Sequence, residues 1–347
     1  MGTGKRTLKC VILLLAILIL LVIIAASVGA AKISLKETAL IMLSFVPGFN
    51  NLVDSASIDS QNFVIISQIR LPRIALSIFV GIALASAGVI FQGLFRNPMA
   101  DPYVIGVSAG AAFGATIGLL FVKNSGPAGI SITALFALCG ALATTFLVYN
   151  IAKIRGKISV VTLLLAGIAL SAMLSAMTSF IMIFRVHDMA KVVFWVMGGL
   201  TSASWAKFNI LAPVVIILVV VSGFFMRDLN VLSLGDERAA QLGVETERVK
   251  KILLVMASLI AAVAVSMSGI IGFVGLITPH ILRLIVGPDH RILYPASAVA
   301  GGIVLLVSDT MARTVLMPRE IPVGIITSII GVPFFLYLLV KSKREAF

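Results

Sequence analysis

The chain has 347 residues, 60% of them hydrophobic and only 12% charged, and its mean hydropathy is +1.15. A soluble domain carries roughly a quarter charged residues, so a water-clothed globule is excluded and lipid must be the solvent for most of the chain. The formal charge of +13 sits in short basic clusters between apolar runs, a pattern that orients a membrane protein rather than one that grips nucleic acid.

Apolar runs of about 20 residues without alternation select helices over barrel strands, since in lipid every backbone polar group must be satisfied internally. The predicted fold is all-α and polytopic, one transmembrane domain over 1–347 with ten spans. In chain order these are 10–31, 71–94, 103–122, 129–151, 159–184, 206–226, 251–271, 273–287, 294–314 and 321–340. The first follows Lys5, Arg6 and Lys9 and is longer than the core of a signal peptide, so it reads as a spanning helix despite a faint cleavage-like Val28-Gly29-Ala30. Val192 to Leu200 is too short to cross and reads as a surface helix on the outer side. Cys10 and Cys139 lie in apolar stretches without metal-ligand spacing and read as inert, packed thiols.

With the N-terminus inside, most of the 27 Lys and Arg fall on the cytoplasmic side, and an even number of spans returns Lys341, Lys343 and Arg344 there. Arg70, Arg73 and Arg313 remain at the outer side and require a reason. On the third span Gly110, Gly114 and Gly118 repeat at i+4. Small residues at this spacing let helix backbones approach closely in lipid.

Candidate chemistry is sparse. Gly2-Thr3-Gly4-Lys5 lacks P-loop spacing and a preceding strand, so no ATP site is expected on this chain. Gly106-Val107-Ser108-Ala109-Gly110 matches a nucleophile elbow in letters but begins a membrane helix instead of a strand-to-helix turn; an intramembrane hydrolase built on Ser108 is the remote reading. His280 follows Pro279 one turn before Arg283 and reads as a helix-end hydrogen-bonding residue. Asp309 is a costly intramembrane carboxylate. Arg313, four residues on, offers it an ion pair, and proton or cation coupling is the alternative. An ion-coupled carrier would want a second buried acid, and no mid-span candidate is seen.

Residues 227–250 form the most informative loop. Ser233 can cap a short helix whose first turn holds Asp236 and Glu237, and Gly243 can stop it. Two short amphipathic helices separated by glycine would make a rigid cytoplasmic knob. On the fifth span Gly167, Ser171, Ser175 and Ser179 form a small, slightly polar stripe at i+4 spacing, which could line a passage or pack a neighbour. The loop 153–157 before it is placed near the cytoplasmic side.

Leu234-Gly235, Ala239-Ala240 and Leu242-Gly243-Val244 resemble the coupling loop of ABC importer permeases for iron-siderophore, haem and cobalamin uptake. Arg70-Leu-Pro-Arg73, the long run from Asn97-Pro98 through Asp101-Pro102 to Gly110, Gly272 through His280, Gly287 through Arg291, and Pro322 through Phe335 are similar to that family in the same order. The resemblance covers nearly the whole chain and is weakest in 1–69. It implies a type II ABC importer permease fold, ten helices per subunit, a homodimer around a central path, two separate ATPase subunits that carry the ATP and Mg, and an extracytoplasmic binding protein. It further implies that Arg70, Arg73 and Arg313 meet acidic residues of that binding protein, that the residues 234–244 named above couple to the ATPase, and that the fifth-span stripe lines the path. The implied location is a bacterial or archaeal cell membrane with both termini cytoplasmic. The implied substrate is a metal chelate, with an iron-siderophore foremost and haem or cobalamin as alternatives.

Overall fold

The structure is a computed structural model that describes residues 2–31, 33–45, 59–121, 131–154 and 157–345. Every predicted span falls on a helix. The first is α1 (Gly2–Ser27), followed by the short α2 (Leu35–Ser44). The second is longer than its apolar core suggests: α3 (Ser60–Val64), a π-helical segment (Ile65–Arg70) and α4 (Leu71–Leu94) run continuously. The chain then forms α5 (Val107–Phe121), α6 (Ile132–Ala152), α7 (Val160–Phe184), the surface helix α8 (Met189–Val196) and α9 (Trp205–Gly223). Two short helices, α10 (Met226–Leu232) and α11 (Asp236–Gln241), precede α12 (Thr246–Ser268), α13 (Val274–Val286), α14 (His290–Thr314) and α15 (Val323–Glu345). Seven of these helices are long and apolar enough to cross a bilayer, and Val107–Leu120, Val274–Val286 and Val323–Leu338 are shorter apolar helices. A minimal antiparallel hairpin pairs Lys153 with Ile158 and Ile154 with Lys157 between α6 and α7; Arg155 and Gly156 lie outside the described residues.

The π segment has a local cause. The N–H of Leu71 reaches back to Ile66 O, and the next bond of that ladder would need an N–H that Pro72 lacks. The orphaned Ser67 carbonyl instead accepts from the Trp205 indole at 2.8 Å, which ties the start of α9 to this helix. The third span starts later than predicted, at Val107. Asp101 caps a 3₁₀ turn over Pro102–Ile105, and Gly106, at φ +85°, breaks that turn from the helix.

The interior is built on α4, α12 and α14, which are largely buried, whereas α1, α6, α7 and α9 expose most of their apolar surface. Exposed Phe180, Ile183, Phe184 and Ile217 illustrate a perimeter suited to lipid or to other subunits. Cys10 is half-buried and packs against the core as expected, whereas Cys139 is exposed on this perimeter instead of packed.

Close backbone approach sets the helix crossings, as the glycine spacing predicts. On α5, Cβ atoms built at Gly110 and Gly114 would overlap the Gly140 and Phe136 carbonyls of α6, and one at Gly118 would lie 3.0 Å from Thr133 Cα. The same device operates where the sequence pattern did not single it out. Gly81 meets Gly301 between α4 and α14, and a Cβ at Gly88 would overlap the Gly275 carbonyl of α13. Gly88→Ala should therefore destabilise the detergent-solubilised protein by about 1–3 kcal/mol through overpacking. Gly223→Ala, whose Cβ would meet nothing closer than Tyr294 at 3.9 Å, is the control. Equal thermal midpoints for the two variants would remove the close-approach explanation.

Candidate functional site

Two charged clusters occupy opposite ends of α4, one around Arg70 and Arg73 and the other around Arg96. At the first, Arg70, Arg73 and Arg313 are only 5%, 8% and 8% exposed, not free cations on a rim. Arg70 donates to the carbonyls of Ala26 (2.6 Å), Ser27 (3.0 Å) and Ala31 (2.5 Å). Arg313 donates to Val28 O at 3.0 Å and to Ala25 O. The two guanidinium groups thus cap the C-terminal carbonyls of α1, where backbone acceptors lack helical partners and the dipole favours positive charge. Gly29 leaves room for this, since a Cβ there would lie 2.9 Å from the Arg70 guanidinium.

Arg73 holds the intramembrane acid. Its Nε lies 3.0 Å from both Asp309 oxygens, its second nitrogen lies 2.9 Å from Oδ1, and its third donates to Glu320 at 2.8 Å. The predicted i,i+4 partner of Asp309 is displaced: Arg313 Nε stands 3.9 Å away and makes no hydrogen bond to it. A bidentate fork from a neighbouring helix satisfies the carboxylate better than a same-helix neighbour that is already turned toward α1. Glu320, at the other side of Arg73, carries no local sequence signal that would have found it.

At the opposite end, α10 and α11 form the predicted knob. The cap differs from expectation: Gly235, at φ +112°, precedes α11, while Ser233 ends α10 and donates to Leu229 O. Gly243, at φ +82°, terminates the turn as predicted, with its N–H on Ala240 O and that of Val244 on Ala239 O. Ala239 is fully buried, Val244 half-buried and Ala240 exposed, and Leu234 and Leu242 are 55% and 63% exposed.

The knob is clamped to the membrane helices through Asp236, which pairs with Arg96 at the end of α4 and with Lys250 on α12. Partial burial opposes ionisation of Asp236, but Lys250 and Arg96 outweigh it and hold the carboxyl below the usual range. Arg96 takes a left-handed backbone (φ +49°) and also donates to Leu232 O at 2.9 Å. Lys250 further pairs with Glu247, which accepts from Ile158 N at 3.0 Å, so the hairpin after α6 joins the same network.

The α7 stripe divides. Gly167 packs against the Val104–Ile105 turn and Ser171 lies beside Gly106, so this half is an interface within the chain. Ser175 and Ser179 are exposed, with the Ser179 hydroxyl donating to Ser175 O at 3.0 Å. Ser108 makes no side-chain hydrogen bond to a histidine or carboxylate among the described residues. His280 lies beside the Pro98 carbonyl and Asp309 is occupied by Arg73, so no nucleophile–base–acid constellation forms among the described residues.

Beside the knob lies a second polar group that the sequence pattern did not reveal. Gln92, buried on α4, donates to Leu276 O at 3.0 Å and accepts from Arg283 at 2.9 Å. Asn230 donates to Asp289 at 2.7 Å and accepts from the backbone N–H of His290. Asp289 caps α14, and the hydrogen bonds from Arg291, ahead of the opposing effect of burial, hold its carboxyl down at about 2.

Apolar helices joined by backbone-close crossings, a buried charge cluster at one end and a clamped amphipathic knob at the other define a multi-span membrane permease. Residues 17–341 match the FecCD transport family, and the chain belongs to it: the permeases of type II ABC importers. The chain is 47% identical over 287 residues to the cobalamin import system permease protein BtuC of Halobacterium salinarum, covering 82% of this chain and 75% of that one. It is 38% identical over 286 residues to the hemin transport system permease protein HmuU of Yersinia pestis, covering 80% and 83%. A solved structure described as an inward-facing conformation of a metal-chelate type ABC transporter superposes with a TM-score of 0.83 at 30% identity, covering 96% of this chain and 99% of that one.

Proposed function

We propose that the chain is one half of a homodimeric permease in an ATP-driven importer that takes a metal chelate from an extracytoplasmic binding protein. The observation that carries this reading is the knob: exposed Leu234 and Leu242 flank α11, whose Asp236 anchors it to both the end of α4 and α12, so force applied there reaches two core helices. The ATP and Mg belong to two separate ATPase subunits seated on that knob, and no cofactor is assigned to this chain. Both termini are placed in the cytoplasm of a bacterium or archaeon. The exposed half of the α7 stripe, Ser175 and Ser179, is assigned to the path, with Gly167 and Ser171 supporting it from behind.

The docking role of Arg70, Arg73 and Arg313 takes a modified form. Three cations face two acids, Asp309 and Glu320, so the cluster retains a positive excess that steers an acidic partner even though its members bond internally. An iron-siderophore is the substrate proposed first, and the 47% identity to a cobalamin permease favours cobalamin as the second reading. An ion-coupled carrier is disfavoured because Asp309 is saturated by Arg73.

Proteoliposomes holding the permease, its ATPase and a loaded binding protein are the test. Uptake of a ferric siderophore or of cobalamin should require both the ATPase and ATP on the knob side. Uptake that persists with no ATPase subunit present would overturn the importer reading, and the saturating substrate decides between the two chelates.

A further inference from the structure

Between the end of α4, α10 and the α13–α14 junction lies a cavity of about 480 Å³, walled by Gly93, Arg96, Asn230, Arg283, Asp289 and His290 among others. Its hydrogen bonding is unbalanced in a specific way. Asp289 accepts only, so Asn230 must present its amide nitrogen to Asp289 and its carbonyl oxygen to His290. That oxygen receives both the backbone N–H and Nδ1 of His290, the latter at 2.7 Å, which makes Nδ1 the protonated ring nitrogen. The neutral ring then points a bare acceptor, Nε2, at the cavity wall beside Gly93, where a Cβ would meet it at 2.9 Å. His290 is only 5% exposed, and its Nε2 is buried without a partner.

The charges are unbalanced as well. Arg96 is matched by Asp236 and Asp289 by Arg291. Arg283 forms no ion pair among the described residues; its hydrogen bond goes to neutral Gln92, which leaves most of its donors unused. The cavity therefore offers a guanidinium for an anion and a buried acceptor for a hydroxyl. Leu284 and Ile285, which follow Arg283 on α13, are 70% and 63% exposed and give that helix an apolar outer surface.

We propose that this cavity binds the headgroup of an anionic phospholipid that carries hydroxyls, of the phosphatidylglycerol type. The phosphate accepts from Arg283, a headgroup hydroxyl donates to His290 Nε2, and the acyl chains run along Leu284 and Ile285. Basic pockets between helices at a membrane surface are suited to such headgroups. The site does not depend on the transport reading, because it requires only that this end of the bundle lie at a bilayer surface.

Titrating the full-length protein in detergent with dioleoyl phosphatidylglycerol and with dioleoyl phosphatidylcholine, read by native mass spectrometry, tests it. The glycerol lipid should bind at least about tenfold tighter, because phosphatidylcholine offers the same phosphate but sets its choline cation beside Arg283 and brings no hydroxyl, and Arg283→Gln should remove most of the difference. Displacement by inorganic phosphate would support the same site with free phosphate as its occupant, and its failure to compete supports the lipid. Equal binding of the two lipids by the unmodified protein overturns the proposal, whether or not the variant folds. A folded Arg283→Gln protein that retains the preference overturns it too.

Discussion

Asp309→Ala is expected to destabilise the protein by about 3–5 kcal/mol, because removing one partner of a buried pair leaves the other charge uncompensated. Asp309 is fully buried and receives three hydrogen bonds from Arg73, whose side chain is itself 10% exposed. Without it, the neighbouring Arg73 and Arg313 have only Glu320 to answer them. Glu320, with its side chain 40% exposed, is screened too well to replace a buried carboxylate. The loss should appear as an earlier thermal transition in detergent and as loosening of α1, whose last carbonyls hang on Arg70 and Arg313. Cysteine accessibility at residues 25–31 would report the latter. Joint replacement by an apolar pair, Arg73→Met with Asp309→Leu, should recover much of the stability, since a packed apolar pair avoids the desolvation of both charges. If Asp309→Ala melts with the unmodified protein, the pair does not hold this end of the bundle together.

Placing aspartate at both Leu234 and Leu242 should reduce ATP-driven uptake to background while leaving the fold intact. Both side chains are exposed in the chain alone, so neither contributes to its own core. Burying a leucine against a partner contributes roughly 1.5–3 kcal/mol, and each 1.4 kcal/mol is tenfold in affinity. Losing both should therefore weaken ATPase attachment by at least about a hundredfold. Ala239 and the Asp236 clamp remain untouched, so α11 stays in place and the variant should elute and melt like the parent. Co-purification of the ATPase measures attachment, and vesicle uptake measures coupling. Normal attachment and normal uptake in the double variant would remove the knob from the force path. Normal attachment with lost uptake would instead assign the two leucines to force transfer alone.

The legible part of this protein follows from short-range chemistry. Ten apolar runs predict ten helices, because a backbone in lipid has no other way to satisfy itself. The Gly110, Gly114 and Gly118 spacing predicts one face of α5, and α6 lies against that face. Gly243 ends its helix because that backbone turns left-handed there. The misreadings all involve partners chosen at a distance or between near-equal local options. Ser233 and Gly235 compete for one helix start, and the geometry of α10 places the serine at a helix end instead. The start of the third span shifts because Asp101, Pro102 and Gly106 make a turn that hydropathy cannot see.

The cavity beside the knob was invisible for the same reason. Gln92, Asn230, Arg283 and His290 come from four separate segments and look unremarkable in each.

The sequence alone determined that the chain lives in a membrane, how many apolar helices it forms, which loop makes the knob, and, by resemblance, the family to which it belongs. These depend on composition and on contacts within a turn or two. Only the tertiary structure decided what the intramembrane charges do. Asp309 takes Arg73, 236 positions away, in preference to Arg313 four positions away. Arg70 and Arg313 are spent on the end of α1. A charge in low dielectric goes to the donor with the best geometry, and that geometry is set by how closely glycine lets α4 and α14 approach.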